Sequence, residues 1–424
     1  MDLPQTPAQD TPRKTWAHAL PFHYGWVIAL SGTLTVLACL GIGRFSLGML
    51  LPSMGADLGL SYAQMGLIST GNFVGYLLAV LGCGWLVARR GARWVIFAAL
   101  LTVAGTMLLI AASDAFVVIL LLYLVTGMGS GAANVPIMGL VSHWFGKRRR
   151  GRAAGLMVIG SGFAIMGSGL LIPAVNAQWG ASGWRYGWLF LGLTALAIAL
   201  LCGFLLRNDP RELGLHPLGD DPAGGPAAAP VPLSAAARRR VLAHLGTIYF
   251  LFGFTYVIYA TFIVTTLVQE RGFSEAVAGR FWFWVGFLSL FSGPVFGWLS
   301  DHAGRRIGLA AVFALHATAY LLVGLPLPEP FLYLSIALFG LGAWSIPGIM
   351  AATVGDYLGP QHAVVAFGTI TFIFGFGQIS GPALAGLIAE LVGSFAPSYL
   401  MAAGLATAAL LLSLLLRPPE QPQA

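Results

Sequence analysis

The feature that most constrains this chain is a series of long apolar runs, twelve in all, each about as long as a helix that crosses a lipid bilayer. Because a bilayer offers no water to unpaired backbone groups, such a run must form a helix or a strand of a closed barrel. The ten-residue alternation of a barrel strand does not occur. Of the 424 residues, 58% are hydrophobic and 9% are charged, whereas soluble domains are about one quarter charged. The sequence therefore predicts an all-α membrane protein with twelve transmembrane helices.

A repeated turn divides the chain into two equivalent parts. The segment 297–306, GWLSDHAGRR, corresponds to segment 84–93, GWLVARRGAR, after a shift of 213 positions. The same shift pairs Gly66 with Gly279 upstream of the turns. Because one constant shift aligns both the turns and the residues upstream of them, the chain is predicted to consist of two pseudo-symmetric halves of six helices each. In membrane proteins, halves of this kind usually face each other across a binding site.

The basic residues are distributed unevenly along the chain. All but four of the 22 Lys and Arg residues lie in one alternate set of loops and in the termini, the exceptions being Arg44, Arg185, Arg271 and Arg280. This bias places both termini in the cytoplasm. The net charge of +7 thus reflects topology, and no nucleic-acid partner is expected.

A stretch rich in proline, alanine and glycine separates the sixth apolar run from the seventh and predicts a flexible linker. The predicted organisation is an N-terminal cytoplasmic tail (1–23), a six-helix bundle (24–206), a cytoplasmic linker (207–240), a second six-helix bundle (241–416) and a C-terminal cytoplasmic tail (417–424).

Twelve spans, a central linker and a G-x-L-x-D-x-x-G-R-R turn together resemble the major facilitator superfamily. The second half carries the whole pattern at Gly297, Asp301, Gly304, Arg305 and Arg306. The first half keeps Gly84 and Arg93 but has Ala88 in place of the aspartate. In that family the acid latches the inward side through a charge contact with a neighbouring helix. The resemblance therefore implies alternating access between two halves, with the latch dependent on Asp301.

Shorter motifs indicate branches of this superfamily. The segment 207–217, RNDPRELGLHP, and the segment 24–26, YGW, resemble the monocarboxylate and oxalate/formate branch. The segment 43–52 resembles poorly understood bacterial permeases and the organophosphate–phosphate exchangers. In those exchangers a first-span arginine eight residues before a proline binds the anionic head group, and Arg44 occupies that position. The Gly-Pro signature of drug/proton antiporters is missing from span five.

Arg44 is the one charged residue inside span one. An arginine well inside a bilayer costs roughly 2.5–3.5 kcal/mol on insertion scales, so it normally faces a cavity and has a partner. No Asp or Glu lies in the middle of any predicted span. We therefore expect Arg44 to bind an anion, since a guanidinium fork fits carboxylate or phosphate. The alternative is that Arg44 extends to the outer interface.

Neutral polar and aromatic residues of the other lining spans complete the predicted pocket: Asn72, Tyr76, Asn134, Tyr256, Tyr259, Trp344, Ser345 and Gln378. Asn72 and Tyr76 share a helix face because they are four residues apart. For each residue the alternative is a hydrogen bond that only packs helices. Arg280, near Glu270 and Glu275, is predicted to form an ion pair at the rim or an outer gate, and the alternative is direct contact with the substrate.

Together these patterns predict a secondary active transporter of a small organic anion, with carboxylates favoured. No GxxxxGK[ST] motif occurs, so the energy would come from a gradient, and no cofactor is expected. The sequence does not decide whether transport is coupled to anion exchange or to proton cotransport. In the second case the proton would be carried by the substrate or by Asp57, Glu275 or Asp356. The expected setting is a monomer in a bacterial inner membrane. An efflux pump for hydrophobic drugs and a non-transporting sensor are the alternatives.

Overall fold

The computed structural model describes residues 21–219 and 235–417, which are almost entirely helical. The first half forms α1 (Gly25–Leu58), α2 (Tyr62–Arg90), α3 (Ala92–Ala111), α4 (Phe116–Trp144), α5 (Lys147–Trp179) and α6 (Gly183–Leu205). The second half forms α7 (Ala235–Thr265), α8 (Glu275–Ala303), α9 (Arg305–Gly324), α10 (Pro330–Leu358), α11 (Pro360–Val392) and α12 (Ala396–Leu414).

The described ranges contain eleven apolar helical segments long enough to cross a membrane. The longest, Arg149–Leu205, contains both α5 and α6, because a turn at Gly180–Ser182 divides it. The structure therefore has twelve spans, and the predicted all-α architecture of two pseudo-symmetric six-helix halves is confirmed.

The repeat is visible in backbone geometry as well as in sequence. Gly91 and Gly304 occupy equivalent turns with φ of 78° and 94°, a region that favours glycine. Ser61 and Ser274 occupy equivalent N-caps, and each hydroxyl accepts a hydrogen bond from a backbone N–H three residues on. Equivalent residues thus form equivalent turns in the two halves.

Two spans are irregular near the centre of the bundle. Helix α1 is π-helical from Leu37 to Phe45, and α10 is interrupted between Gly342 and Ser345. A π-helical insertion in a long α-helix, as in α1, frequently marks a functional site. The two irregular segments touch, because the rings of Phe45 and Trp344 lie 4.7 Å apart.

The halves contact each other more closely at one end of the bundle than at the other. We call the end that carries Arg89 and Arg306 the basic end, and the end that carries Asp57 and Glu390 the acidic end. Toward the acidic end, glycines let facing helices approach closely, as α2 and α11 do at Gly66. A Cβ there would lie 2.4 Å from the carbonyl oxygen of Pro382 on α11.

Toward the basic end the same helices diverge. Beyond the contact of Leu77 with Gly375, a Cβ added at Gly84, on the same face of α2 as Gly66, or at Gly368 of α11 would meet no atom within 4 Å. Helices α5 and α8 behave in the same way, because they touch at Gly162 and Gly286 but leave open space nearer the basic end. The bundle is therefore closed at its acidic end and open at its basic end.

Hydrogen bonds that join the halves reinforce the closed end. Thr70 donates to the carbonyl oxygen of Ile379 at 2.9 Å, and Asn176 donates to Glu275 at 2.6 Å. The backbone N–H of Ala63 donates to Glu390 at 3.3 Å. These contacts tie α2 to α11 and α5 to α8 on the acidic side of the molecule.

The segment 207–219 is folded, which corrects part of the predicted flexible linker. It forms a short 3-10 turn at Pro210–Leu213, and Leu218 N–H donates to the carbonyl oxygen of Trp144 at 2.9 Å. At the other end of the predicted linker, α7 already begins at Ala235. Residues 220–234 and most of both predicted tails lie outside the described residues.

Candidate functional site

Arg44 lies in the π-helical segment of α1 and faces the centre of the bundle. Its side chain is buried, at 8% exposure, and its Nε donates to Oδ1 of Asn72 at 3.3 Å. The rings of Phe73 and Tyr76 lie 4.5 Å and 4.4 Å from the guanidinium carbon, close enough for cation–π attraction. Nη2 of Arg44 is buried without a hydrogen-bond partner. One donor of the guanidinium is thus free for a ligand.

Asn72 fixes the orientation of this guanidinium. Its Nδ2 donates to the carbonyl oxygens of Gly43 at 3.2 Å and Tyr123 at 3.3 Å. With the amide nitrogen held in this way, Oδ1 faces Arg44. Tyr123 adds a further restraint, because its hydroxyl donates to the carbonyl oxygen of Arg44 at 3.0 Å. The arginine is therefore positioned by α2 and α4.

The second half supplies the opposite wall of a small cavity beside Arg44. Helix α7 contributes Tyr256 and Thr261, and Nε2 of Gln378 on α11 donates to the Tyr256 hydroxyl at 2.5 Å. Ser69 and Thr261 share a hydrogen bond of 3.1 Å across the two halves. The cavity has room for about one water molecule. The site is therefore contracted in this conformation.

Trp344, in the interrupted part of α10, packs behind two residues that line the site. Its ring packs against Phe45 of the first half and, edge-on at 6.0 Å, against Tyr256. Its backbone N–H, released by the interruption, donates to Oγ of Ser292 at 3.2 Å. The indole Nε1 is buried without a hydrogen-bond partner. The α10 interruption thus places a large apolar ring between the halves.

The structure brings six of the predicted pocket residues close to Arg44 and separates two others from it. Asn72, Tyr76, Tyr256, Gln378 and Trp344 surround the site, and Asn134 donates to the Tyr76 hydroxyl at 2.8 Å. Tyr259 instead pairs with Ser335 at 2.9 Å inside the second half. Ser345 donates to the carbonyl oxygen of Gly342 at 2.8 Å, within its own helix.

Four site residues were not predicted from the sequence. Phe73 and Phe45 supply ring faces, Tyr123 restrains Arg44, and Thr261 links the halves. Phe73 could have been suggested by its place one turn before Tyr76 on a lining span, because arginine stacks on aromatic faces. Phe45, Tyr123 and Thr261 have no distinguishing sequence signal, since aromatic residues and threonines occur in many of the spans.

The acidic residues considered for proton binding all lie outside this cavity and have partners. Asp57 accepts from the indole of Trp184 at 2.8 Å, and Glu275 accepts from Asn176. Asp356 accepts from Nε of Arg305 at 2.7 Å. Within the described ranges, no group of three or more His, Cys, Asp or Glu side chains is arranged to hold a metal ion.

The predicted latch residues form a chain of charges within the second half. Asp301 at the end of α8 pairs with Arg305 at the start of α9, and Arg305 reaches Asp356 of α10. The contact with the neighbouring helix is thus made through Arg305, while Arg306 is exposed. A Cβ at Gly84 or Gly297 would have open space.

Arg93 in the first-half turn and Arg280 do not make the contacts that were expected of gating residues. Arg93 donates to the carbonyl oxygen of Gly203 through Nε at 3.0 Å and Nη2 at 2.7 Å, so it caps α6. Arg280 is exposed, and the predicted ion pair with Glu270 or Glu275 is absent from the described contacts. Glu270 instead accepts from Ser394 and from the backbone N–H of Phe395, and Glu275 accepts from Asn176.

Comparisons with known proteins identify relatives over nearly the whole chain. A family model described as "Uncharacterised MFS-type transporter YbfB" matches residues 36–414. A hexuronate transporter of Bacillus subtilis (strain 168) is 25% identical over 398 residues, which cover 86% of this chain and 88% of that protein. Monocarboxylate transporter 11 of Homo sapiens is 29% identical over 398 residues, with coverage of 90% and 80%.

A solved structure shows the same fold. It is a bacterial homologue of the human lysosomal transporter Spinster, in an inward-facing and unoccupied conformation. The match has a TM-score of 0.68 at 15% identity and covers 92% of this chain and 95% of that one.

Proposed function

This chain belongs to the MFS-type transporter family whose model it matches, and from this premise we propose that it is a secondary active transporter of a small organic anion. Carboxylates are the favoured class. The relatives named hexuronate and monocarboxylate transporter support this choice, because both names describe carboxylate cargo.

The free donor of Arg44 is the observation that carries the proposal. Arg44 is the one charged side chain in the buried class among the described residues, and the salt bridges of those residues include none with it. A buried charge without a counter-charge is unfavourable, so an anionic ligand would relieve that cost. The fork geometry suits two-point contact with a carboxylate. Tyr76, Tyr256, Gln378 and Trp344 would contact the rest of the ligand.

Transport would proceed by alternating access. The structure is closed at the acidic end and open at the basic end, and the basic-residue bias places the basic end in the cytoplasm. It would then represent an inward-facing state of a protein in a bacterial inner membrane, with the bundles 24–206 and 241–416 rocking about the central cavity. No acidic side chain lines the central cavity, so the cycle would be driven by a counter-anion or by a proton carried on the substrate or on Asp57, Glu275 or Asp356 outside the cavity.

A ligand screen on the purified protein tests the proposed cargo class. Monocarboxylates, hydroxycarboxylates, organic phosphates and cationic drugs would each be added in a thermal-shift assay, since a ligand that binds only the folded state raises the melting temperature. We expect stabilisation by at least one carboxylate and none by the cationic drugs. Stabilisation by uncharged or cationic hydrophobic compounds alone would contradict the proposal.

That contrary result would support the second candidate, an efflux pump for hydrophobic compounds. The rings of Phe45 and Phe73, which line the cavity, and of Trp344, which packs behind Phe45, favour this function. The buried guanidinium argues against it, because an apolar cargo would leave Arg44 desolvated and unpaired. The two candidates therefore differ in whether bound cargo must carry a negative charge.

A further inference from the structure

A groove lies between α2 and α3 at the basic end, away from the central cavity. It is lined by Leu86, Arg90, Trp94, Val95, Phe97 and Ala98 and has a volume of about 500 Å³. Trp94 is 56% exposed, and Trp85, one turn before Arg89, is 61% exposed. Tryptophan is enriched at the level of lipid head groups, so these rings mark the membrane interface. The groove is therefore an open, mostly apolar depression that includes one arginine.

The arginines beside the groove have no acidic partner. Arg90 lines the groove, and the guanidinium carbon of Arg89 lies 4.1 Å from the Trp85 ring centre. Both side chains are exposed, and the salt bridges of the described residues include none with either of them. Arg93 is directed elsewhere, to the carbonyl oxygen of Gly203. Neither guanidinium thus has an acidic partner within salt-bridge distance.

The equivalent surface of the second half is neutralised. There, Asp301 and Asp356 both pair with Arg305. The 213-residue shift places Ala88, Ala92 and His143 at those three positions in the first half, so every member of the charge chain is missing. The same shift replaces Arg89 and Arg90 by His302 and Ala303. The two halves share a fold here but differ in charge.

We propose that this groove binds one anionic phospholipid from the leaflet at the basic end. Its phosphate would contact Arg90 and Arg89, and an acyl chain would lie along Leu86, Trp94 and Phe97. Basic pockets between transmembrane helices on the cytoplasmic side are suited to anionic head groups, and each Lys or Arg near such a surface contributes about 1 kcal/mol. The absence of an acid favours an anionic lipid over a zwitterionic one. This proposal is independent of the transported substrate.

Native mass spectrometry of the full-length protein tests it. The protein, purified in detergent, would be titrated with dioleoyl phosphatidylglycerol and, separately, with dioleoyl phosphatidylcholine, which has the same chains and no net charge. We expect preferential binding of one phosphatidylglycerol. Arg90→Gln should weaken that binding about fivefold, which corresponds to about 1 kcal/mol, and the Arg89→Gln/Arg90→Gln double variant should weaken it further.

Two further variants separate a specific site from general attraction to a basic surface. Ala88→Asp restores the acid of the turn pattern and should weaken phosphatidylglycerol binding by cancelling local charge. Arg211→Gln removes an arginine that is 92% exposed in the segment after α6, and it should leave binding unchanged. Equal binding of the two lipids, or wild-type binding by the double variant, would overturn the proposal. Displacement of the lipid by glycerol phosphate at similar concentration would show a site for a soluble phosphate instead, which also contradicts it.

Discussion

At the scale of single residues, the central site depends on how Asn72 holds Arg44. The Asn72 amide nitrogen is occupied by two backbone carbonyls, so its oxygen is presented to the guanidinium. A neutral oxygen orients Arg44 without cancelling its charge. A carboxylate at the same place would neutralise it, and the cavity would then lose the positive charge on which the proposed anion binding depends.

Replacement of Asn72 by aspartate tests this distinction. Asn72→Asp keeps the shape of the side chain but places a carboxylate at hydrogen-bond distance from Arg44. We expect the affinity for the transported anion to fall at least tenfold, because the new acid competes for the guanidinium and repels the ligand. Isothermal titration would measure the change. Asn208→Asp, the same substitution in the segment after α6, should retain wild-type affinity. Unchanged binding by Asn72→Asp would show that the anion does not use Arg44.

At the scale of helices, close glycine contacts hold the acidic end shut. A Cβ at Gly66 would lie 2.4 Å from the carbonyl oxygen of Pro382, and one at Gly386 would lie 2.5 Å from that of Tyr62. Backbone atoms cannot move aside as a flexible side chain would. The crossing of α2 and α11 in this conformation therefore requires residues without a side chain.

Gly66→Ala should consequently shift the protein away from the conformation described here. Spin labels on Gly84→Cys of α2 and Val365→Cys of α11 report the width of the basic end, since both positions are exposed. The native cysteines Cys39, Cys83 and Cys202 are buried. Double electron–electron resonance should show a shorter distance population in the Gly66→Ala protein. Gly105→Ala, where a Cβ meets open space, serves as the control. Identical distances in the two variants would contradict the account.

The ion pairs of Arg305 with Asp301 and Asp356 at the basic end affect the balance between conformations less than the close glycine contacts do. The side chains of Asp301 and Asp356 are 62% and 52% exposed, and exposed ion pairs contribute about 0–1 kcal/mol. We expect Asp301→Asn to leave expression near normal but to shift the population toward the state that is open at the basic end by up to about fivefold. Transport assays in both directions would detect this shift as a reduced rate. Normal transport in both directions would mean that closure of the basic end does not use Asp301.

At the scale of the whole molecule, the orientation in the membrane is open to a direct test. The basic-residue bias predicts that the segment 207–219 is cytoplasmic and that the far end of α11 is not. Arg211→Cys should therefore resist an impermeant thiol reagent in intact cells, while Leu391→Cys, at a position that is 78% exposed, should react. The reverse pattern would overturn the orientation.

The architecture could be predicted from the sequence because it depends on apolar length and on a repeat, both of which are visible without coordinates. The site could be predicted only in part. Tyr256 and Tyr259 lie on one helix, yet only Tyr256 faces the cavity. The rotation of a helix within a bundle depends on its neighbours, and lipid-facing and buried faces are both apolar here. The π-helical segment of α1 also changes the direction of Arg44, and no residue pattern indicates it.

The central claim is that Arg44 binds the anionic group of the transported substrate. The most direct test is the affinity of the best-stabilising carboxylate for the wild-type protein, Arg44→Lys and Arg44→Gln, measured by isothermal titration. A charge-assisted hydrogen bond contributes about 1.5–3 kcal/mol, so Arg44→Gln should weaken binding about ten- to hundredfold. Arg44→Lys should recover only part of this loss, since an ammonium cannot make the planar two-point contact. Wild-type affinity in Arg44→Gln would contradict the claim.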